Sequence, residues 1–204
     1  QQPNISCPAN QTVGNTPGSC SAAVNYPIPT YSDNCVGGSA ALQSGLPSGG
    51  IFPKGQTTVV WRATDAVGLT KTCSFRITVN DTENPVIACP SSQSKNTDAG
   101  LCTALTTYST PTATDNCAPA PTVVRVSGPA SGSAFPAGTT TCVWRSTDGA
   151  SRSATCSFTV TVTDNQAPGI SCPANQLVTA APGQCSATFY YSNPTATDNC
   201  EVIS

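Results

Sequence analysis

The stretch TTVVWRATDAVGLTKTCSFRITVN, residues 57–80, decides the fold of this chain. Apolar and polar residues alternate on both sides of the turn sequence Asp65-Ala66-Val67-Gly68, and a period of two is the pattern of half-buried β-strands. Two such strands joined by a short turn that contains Gly predict a β-hairpin. The positions expected to face inward are Val59, Trp61, Ala63, Cys73, Phe75, Ile77 and Val79.

The hairpin pattern recurs at residues 140–163, TTCVWRSTDGASRSATCSFTVTVT. Cysteines recur with it, at a period of 82 residues from Cys7 to Cys89 and 83 from Cys89 to Cys172. This period suits a small sandwich domain and exceeds the roughly 20 to 50 residues of a solenoid repeat. The sequence therefore predicts three units: residues 1–80, residues 81–163, and the first half of a third unit at residues 164–204.

Each full unit contains about seven short segments in which apolar and polar residues alternate, and each such segment predicts a strand. Turn sequences such as Asn15-Thr16-Pro17-Gly18 separate them, since Pro and Gly preset the backbone dihedrals of a chain reversal. Helical periodicity is absent. We therefore predict an all-β protein of tandem immunoglobulin-like β-sandwiches, each built from two packed antiparallel sheets.

Composition limits where the protein works and what it binds. Twelve cysteines favour an oxidising, extracellular compartment, because disulfides persist there. Eight Lys and Arg against ten Asp and Glu form no basic stripe of the kind that neutralises phosphates, which argues against a nucleic-acid partner. No apolar run approaches the roughly 20 residues that span a bilayer. We expect a secreted or cell-surface protein without membrane insertion.

The sequence also argues against catalysis. With no His, the Ser-His-Asp and Cys-His arrangements of hydrolases cannot be built, and the usual nitrogen ligand of zinc is missing. The clustered acids Asp81 and Glu83 fall in a linker between repeats, where no cleft is expected to hold a glycoside. We therefore expect no enzymatic activity.

Four motifs of the second repeat resemble a known family. They are Thr114-Asp115-Asn116-Cys117, residues 135–140 (FPAGTT), residues 144–148 (WRSTD) and residues 156–162 (CSFTVTV). Their order and spacing across successive copies are similar to tandem hyalin repeats, the HYR module. The resemblance implies an immunoglobulin-like fold and an extracellular protein in which such repeats serve adhesion or act as spacers. It implies no shared ligand.

Four cysteines in each full repeat allow three pairings, and sequence alone does not choose among them. In the expected topology the first and last strands begin at the same end of the sandwich, which favours the first cysteine with the fourth. The second would then pair with the third, and the competing pattern joins first to second and third to fourth. HYR-type repeats with two cysteines resemble the favoured pattern, since they keep the first and last. The favoured pairs are Cys7 with Cys73, Cys20 with Cys35, Cys89 with Cys156, and Cys102 with Cys117.

The other cysteines are expected to be unpaired or to bond to another chain. Cys142 occupies the position of Val59 in the first repeat, where it is either a buried thiol or linked to Cys102 or a neighbouring chain. Cys172, Cys185 and Cys200 lie in the third copy. That copy has no counterpart of Cys73, so this pairing scheme expects the natural polypeptide to continue beyond Ser204.

Acidic residues at the repeat boundaries give a hypothesis about a cofactor. The linkers at residues 81–85 and 164–168 are Asp-rich and end in Pro, a form similar to the calcium-binding junctions of cadherins, and calcium takes six to eight oxygen ligands. The competing interpretation is that these side chains cap turns through local hydrogen bonds. The candidate ligands are Asp81, Glu83, Asp115, Asp148, Asp164 and Asp198.

We predict a structural and adhesive role, in which disulfide-stapled sandwiches in series form a stalk or surface filament. The expected partners are further copies of the chain or additional repeats of a longer one, together with cell-surface glycans or proteins. The alternative function is that of a glycan- or protein-binding accessory module of a larger secreted protein, since loops on rigid scaffolds commonly bind ligands. No cofactor other than calcium is expected.

Overall fold

The computed structural model describes residues 1–200, and every regular element among them is a β-strand. The prediction of an all-β fold is confirmed. None of the described residues forms a helix that could cross a membrane. In chain order the strands are β1 (Asn4–Ser6), β2 (Gln11–Gly14), β3 (Ser21–Val24), β4 (Thr30–Ser32), β5 (Ser39–Ser44), β6 (Gly50–Pro53), β7 (Gly55–Thr64), β8 (Thr70–Asn80), β9 (Val86–Ala88), β10 (Gln93–Asn96), β11 (Thr103–Thr106), β12 (Thr112–Thr114), β13 (Thr122–Ser127), β14 (Ser133–Pro136), β15 (Gly138–Thr147), β16 (Ser153–Thr163), β17 (Gly169–Ser171) and β18 (Thr195–Thr197).

The chain divides into two compact units that cross the repeat boundaries of the sequence. Unit 1 holds the first repeat, the beginning of the second and two further segments of the second: Gln1–Ala88, Thr112–Val124 and Arg145–Thr155. Unit 2 holds Cys89–Pro111, Arg125–Trp144 and the chain from Cys156 onward. Each sequence linker therefore lies inside a compact unit, together with parts of both repeats that it joins.

The predicted hairpin is the centre of unit 1. β7 and β8 pair antiparallel from Gly55 opposite Val79 to Thr64 opposite Thr70, in a four-stranded sheet of order β2-β8-β7-β5. The turn between them is closed by Asp65, whose Oδ1 accepts the N–H groups of Val67 (2.9 Å) and Leu69 (2.8 Å). An Asx turn of this kind satisfies backbone donors that no strand partner reaches.

Short strand pairs cover the inward face of this sheet. β3 pairs antiparallel with β6, and β1 with β4. The counterpart of the β1–β4 pair in the second repeat is β9 with β12. Tyr26 packs edge-on against Phe75, with ring centroids 4.9 Å apart, and its hydroxyl donates to the Leu46 carbonyl (2.6 Å). The predicted inward positions are buried, Cys73 only partly. The buried core comprises Ile5, Ala22, Val24, Tyr26, Phe52, Val59, Trp61, Ala63, Phe75, Ile77 and Val79.

Unit 2 repeats this packing with equivalent residues. β11 pairs antiparallel with β14, β17 with β18, and β10 runs parallel to β16 in a sheet of order β10-β16-β15-β13. Tyr108 takes the role of Tyr26, since its ring lies edge-on to Phe158 at 4.9 Å and its hydroxyl donates to the Pro129 carbonyl (2.6 Å). The core comprises Ala104, Tyr108, Phe135, Cys142, Phe158, Val160 and Val162.

The strand after the first cysteine is parallel to the last strand, and this register places the first and fourth cysteines opposite each other. Gln11 lies opposite Ile77, an offset of 66 residues that is also the separation of Cys7 and Cys73, which are disulfide-bonded (S–S 2.02 Å). In the second repeat Cys89 is bonded to Cys156 at a separation of 67, again the offset between β10 and β16. Closing a loop of this size stabilises a fold by about 4 kcal/mol, because the disulfide lowers the conformational entropy of the unfolded chain.

Cys142 is a fully buried free thiol within the core of unit 2. Burial is the main cause that raises the pKa of the Cys142 thiol, and Arg125 lowers it by less. The cysteine side chain occupies the space that a valine fills in the first repeat, as a small apolar residue does. A link from Cys142 to Cys102 does not form, because Cys102 is bonded elsewhere.

The burial of Phe52 predicts how strongly its substitution destabilises unit 1. Phe52 is fully buried, whereas its neighbour Ile51 is 69% exposed. We expect Phe52→Ala to lower the free energy of unfolding by about 3–5 kcal/mol, because it leaves a cavity in the core. Ile51→Ala, the matched control on the same strand, should lower it by less than about 1 kcal/mol. Urea unfolding of the oxidised protein measures both, and equal losses would contradict this packing.

Candidate functional site

Two disulfides connect successive repeats. Cys20 is bonded to Cys117 at a separation of 97 residues, and Cys102 is bonded to Cys200 at a separation of 98. The second cysteine of one repeat thus bonds to the third cysteine of the next. The expected pairs Cys20 with Cys35 and Cys102 with Cys117 are wrong in this structure.

The length of the sandwich explains this correction. Cys20 lies beside the beginning of β7, since its carbonyl accepts the N–H of Lys54 (3.0 Å). Cys35 lies near the other end of β7, because Gly38 packs against the carbonyl of Thr64. A ten-residue strand spans roughly 30 Å, several times the Cα–Cα distance of about 5–6 Å that a disulfide permits. The second and third cysteines of one repeat therefore cannot bond to each other.

Four cysteines remain free among the described residues: Cys35, Cys142, Cys172 and Cys185. Cys35 was expected to be paired and Cys200 to be unpaired or linked to another chain, and the structure reverses both assignments. Cys35, Cys172 and Cys185 are exposed, whereas Cys142 is buried.

The first joint lies within unit 1. It consists of the turn at residues 15–20, the linker at residues 81–85 and the loop at residues 115–118. Asn15 is its centre: Oδ1 accepts from the N–H and the hydroxyl of Thr82 (both 2.8 Å), and Nδ2 donates to the Ser19 carbonyl (2.8 Å). The Glu83 carboxylate accepts the N–H of Gly18 (2.9 Å) and a hydrogen bond from Asn15 Nδ2 (3.1 Å). These bonds fix the linker against the turn.

Two cations stabilise the same joint. Lys54 Nζ lies 3.2 Å from Asp81 Oδ2, and the Asp81 side chain is 1% exposed. Lys54 Nζ also donates to the Ala118 carbonyl at 3.5 Å, and Arg152 Nε donates to the Asp81 carbonyl at 3.1 Å. A further hydrogen bond holds the loop that carries Cys117 against the turn, since Asn116 Nδ2 donates to the Ser19 carbonyl (3.0 Å). The covalent bond of the joint is thus surrounded by hydrogen bonds across the repeat boundary.

The second joint lies within unit 2 and repeats the geometry about 83 residues later. It consists of the turn at residues 97–102, the linker at residues 164–168 and the loop at residues 198–200. Gln166 takes the place of Glu83, since its Oε1 accepts the Gly100 N–H (3.3 Å), and Asn199 takes the place of Asn116, since its Nδ2 donates to the Leu101 carbonyl (2.8 Å). The joint is therefore a recurring element of the fold.

Hydrogen bonding gives Asp164 of the second joint a lowered pKa. The Gln166 N–H bonded to Oδ1 (3.1 Å) is the largest cause, and hydrogen bonds from Asn199 (3.3 Å) and Thr97 (3.3 Å) add to it while burial opposes them. Each bond favours the charged carboxylate. Asp164 therefore contributes its stabilisation above the unfolded pKa and loses it as the pH falls through the folded pKa.

The candidate calcium ligands fall into two pairs and two separate residues. Asp81 and Asp115 have carboxylate oxygens within 4.8 Å of each other in the first joint, and Asp164 and Asp198 do so in the second. A cysteine sulfur completes each cluster, but both sulfurs are in disulfides. Glu83 is bonded to the turn, as described above.

Asp148 takes no part in either cluster. Its Oδ1 closes the β15–β16 turn by accepting the N–H groups of Ala150 and Arg152 (both 2.8 Å). This is the role that Asp65 has in the first repeat. The local contacts of Asp148 agree with the turn-capping interpretation.

Sequence reasoning missed Asn15, Lys54 and Arg152 as joint residues. Asn15 and Lys54 have Thr97 and Ala137 at the equivalent positions, so the repeat pattern gives no signal for them. Asn116 and Asn199 do recur, in the Asp-Asn-Cys motif. Their recurrence beside cysteines was the available signal, but it does not reveal that the partner lies in the preceding repeat.

Comparison with known proteins gives a family match over most of the chain. The model of the HYR domain family matches residues 1–79 and again residues 80–162. Among curated relatives, Hyalin of Strongylocentrotus purpuratus is 33% identical over 96% of this chain. Hyalin of Lytechinus variegatus is 34% identical over the same share. The chain spans 17% and 37% of the length of these two relatives.

Solved structures similar to this chain are cadherin-type extracellular fragments. Protocadherin Gamma B2 extracellular cadherin domains 3-6 match with a TM-score of 0.40 and 15% identity, over 80% of this chain and 53% of that one. Mouse Cadherin-23 EC22-24 matches with a TM-score of 0.42 and 14% identity, over 84% and 70% respectively.

The family match confirms the resemblance read from the sequence. It also confirms the expectation of tandem immunoglobulin-like sandwiches in an extracellular, adhesion-type module. Repeats of this family are non-enzymatic structural modules.

Asn15 provides a test of the first joint. Asn15→Ala removes bonds to Thr82, Ser19 and Glu83 at a buried position, and we expect the free energy of unfolding to fall by about 2 kcal/mol because buried partners lose their bonds. Asn10→Ala is the matched control, since Asn10 is exposed and accepts a single hydrogen bond, from the Arg76 N–H. Urea unfolding that gave equal changes for both variants would contradict the central role of Asn15.

Proposed function

The chain belongs to the HYR domain family, and on that premise we propose that it is a structural tether whose repeats, at residues 1–80, 81–163 and 164–204, are connected in series to resist extension. The observation that carries this proposal is the pair of disulfides between successive repeats, Cys20 with Cys117 and Cys102 with Cys200. Together with the disulfides inside repeats, they provide two covalent routes along the chain.

The first route uses the disulfides inside the repeats. From Cys7 it crosses to Cys73, follows β8 and the linker for 16 residues to Cys89, and crosses to Cys156. Residues 8–72 of the first repeat and 90–155 of the second, which include β7 and β15, lie outside this route. A pulling force along it leaves most of the sandwich without tension.

The second route uses the joints. From Cys20 it crosses to Cys117, runs back through 15 residues to Cys102, and crosses to Cys200. It bypasses the linker between the repeats. Because the two routes are parallel, the loss of one disulfide in the first repeat leaves a short covalent path intact. Such redundancy suits a stalk or filament under load.

The covalent routes set the extension of the chain under force. From Gln1 to Cys200 the shortest path has 19 residue steps to Cys20 and 15 from Cys117 to Cys102, which allows roughly 130 Å at about 3.5 Å per residue. The reduced chain allows roughly 700 Å. We expect single-molecule force spectroscopy of the oxidised chain to stop near the shorter length and of the reduced chain near the longer.

Disulfide variants sharpen this measurement. Removing either Cys7–Cys73 or Cys20–Cys117 by paired Ser substitutions leaves the maximum extension near roughly 130 Å. Removing both raises the maximum extension to roughly 360 Å, because the shortest covalent path then follows the backbone from Gln1 to Cys102. Cys142→Ser is the control and leaves the limit unchanged. A limit near roughly 240 Å for the oxidised chain, the length that pairing within repeats would allow, would contradict the proposal.

Calcium binding is a second candidate role for the joints. The paired carboxylates of each joint favour it, Asp81 with Asp115 and Asp164 with Asp198, and Asp115 Oδ2 is a buried oxygen without a hydrogen-bond partner. Two carboxylates supply few of the six to eight oxygens that calcium takes, and Lys54 neutralises Asp81. The contacts therefore favour turn capping over a calcium site.

Calorimetry separates these two roles. With turn capping, we expect the Tm of the chain to stay unchanged in millimolar calcium. A rise in Tm that Asp198→Asn removes would assign calcium to the second joint, which has Ala137 in place of Lys54 and so lacks the competing cation. Magnesium at the same concentration is the control for general ionic effects.

A further inference from the structure

The turn between the last two strands has the same hydrogen bonds in both full repeats. In the second repeat the Asp148 N–H donates to the Arg152 carbonyl (3.0 Å), and the Asp148 carbonyl accepts the N–H of Ser151 (3.2 Å). In the first repeat Asp65 makes the two equivalent bonds at the same distances. The two turns therefore share one hydrogen-bonding scheme, although four of their five residues differ.

Glycine stands at different positions in the two turns. The first turn is DAVGL and has Gly68 at a φ of 91°, whereas the second is DGASR and has Ser151 at that position with a φ of 66°. Glycine occupies the positive-φ region without strain, and residues with a side chain rarely adopt it. The second turn thus lacks glycine where the backbone favours one, and it has Gly149 where the first turn has Ala66.

The backbone does not require glycine at position 149, because Gly149 is not among the residues with a positive φ. Packing requires it instead. A Cβ atom at this position would lie 2.6 Å from Cδ and 3.2 Å from Cγ of Pro119, well inside the roughly 3.5–4.0 Å at which carbon atoms pack. The ring of Pro119 therefore limits residue 149 to glycine.

The first repeat makes the same contact with the sizes exchanged. Gly37 stands at the position of Pro119, two residues after the third cysteine. A Cβ atom added to Gly37 would lie 3.5 Å from the Cβ of Ala66, so this loop also lies against the turn of its own repeat. One repeat pairs a loop glycine with a turn alanine, and the other pairs a loop proline with a turn glycine. The loop and the turn are thus complementary in size in both repeats.

The turn of the second repeat also contacts the linker. Arg152 Nε donates to the Asp81 carbonyl (3.1 Å), whereas the first repeat has Leu69 at the position of Arg152. Through Pro119 the same turn contacts the loop that carries Cys117. It therefore touches two of the three segments that form the first joint.

We propose that the turn at residues 148–152 positions Cys117 for its bond to Cys20, and that this positioning depends on Gly149. The inference rests on the proposed function, since it concerns how the joint between repeats forms. The Cα atoms of Cys20 and Cys117 are 5.0 Å apart, and a disulfide permits at most about 7 Å. A side chain at position 149 would push the Pro119 ring, and with it the loop, away from the turn. Displacing the loop by roughly 2 Å is enough to exceed that distance.

The bond itself forms by thiol–disulfide exchange with a low-molecular-weight disulfide such as oxidised glutathione. The thiolate of Cys20, which is more exposed than Cys117, attacks one glutathione sulfur and releases a glutathione thiolate. The Cys117 thiolate then attacks the Cys20 sulfur of the mixed disulfide and releases the second glutathione thiolate. Two protein thiols are oxidised, one glutathione disulfide is reduced, and the two protons pass to the released thiolates. Gly149 acts on the second step, which needs both sulfurs in place.

Oxidative refolding of the whole chain tests the inference. The reduced chain is refolded in a glutathione redox buffer, samples are alkylated at successive times, and mass spectrometry of the peptides measures each disulfide. We expect Gly149→Ala to slow the formation of Cys20–Cys117 several-fold. Cys7–Cys73, which lies within the first repeat, should form at the wild-type rate and is the internal control.

A second variant separates positioning from a general loss of stability. Gly149→Ala combined with Pro119→Gly recreates the pairing of Ala66 with Gly37, and we expect it to return the rate of Cys20–Cys117 formation close to that of the wild-type chain. Gly169→Ala is the matched control. Gly169 also lacks a positive φ, and a Cβ atom there would lie 3.6 Å from its nearest neighbour, so the rate should not change.

Three outcomes would overturn the inference: an unchanged rate in Gly149→Ala, a slow rate that the double variant does not restore, or equal slowing of Cys7–Cys73. Failure of the proposed tether looks different. If the wild-type chain itself did not form Cys20–Cys117, the tether would be contradicted, whereas a normal wild-type joint that Gly149→Ala leaves unaffected contradicts only the role of the turn.

Discussion

The distance between the second and third cysteines of a repeat determines how the repeats connect. Fifteen residues separate Cys20 from Cys35, and the turn and the loop that carry them lie at opposite ends of the ten-residue strand β7. A disulfide cannot span that length. Each of these two cysteines is therefore available only to a neighbouring repeat, and the joints and the parallel covalent routes follow from this geometry.

The two kinds of disulfide do different physical work. Cys7–Cys73 and Cys89–Cys156 close long loops within a repeat, which lowers the conformational entropy of the unfolded chain. This stabilisation adds to that of a hydrophobic core of modest size. Cys20–Cys117 and Cys102–Cys200 add a covalent bond at a site already fixed by hydrogen bonds from Asn116 and Asn199. The first kind stabilises a sandwich, and the second fixes the connection between repeats.

The joints rely on neutral hydrogen bonds more than on charge. A single ion pair, Lys54 with Asp81, lies among the described residues, and only 9% of the sequence is charged. In the second joint Gln166 replaces Glu83 and Ala137 replaces Lys54, while the glycine N–H of the turn and the carbonyl before its cysteine remain bonded. Salt screens exposed charges strongly but affects buried hydrogen bonds and disulfides little, so this design suits a structural module outside the cell.

The sequence by itself determined the strands, the repeat and the inward positions, because alternation and turn residues act locally. The sequence favoured a bond between Cys7 and Cys73 but left other pairings open, and the parallel register of β2 and β8, whose offset equals the separation of the two cysteines, decided it. Only the tertiary structure decided the partners of Cys20, Cys102, Asn15 and Lys54. Those contacts depend on which end of a sandwich meets the next repeat. A sequence pattern does not give the distance in space between residues of different repeats.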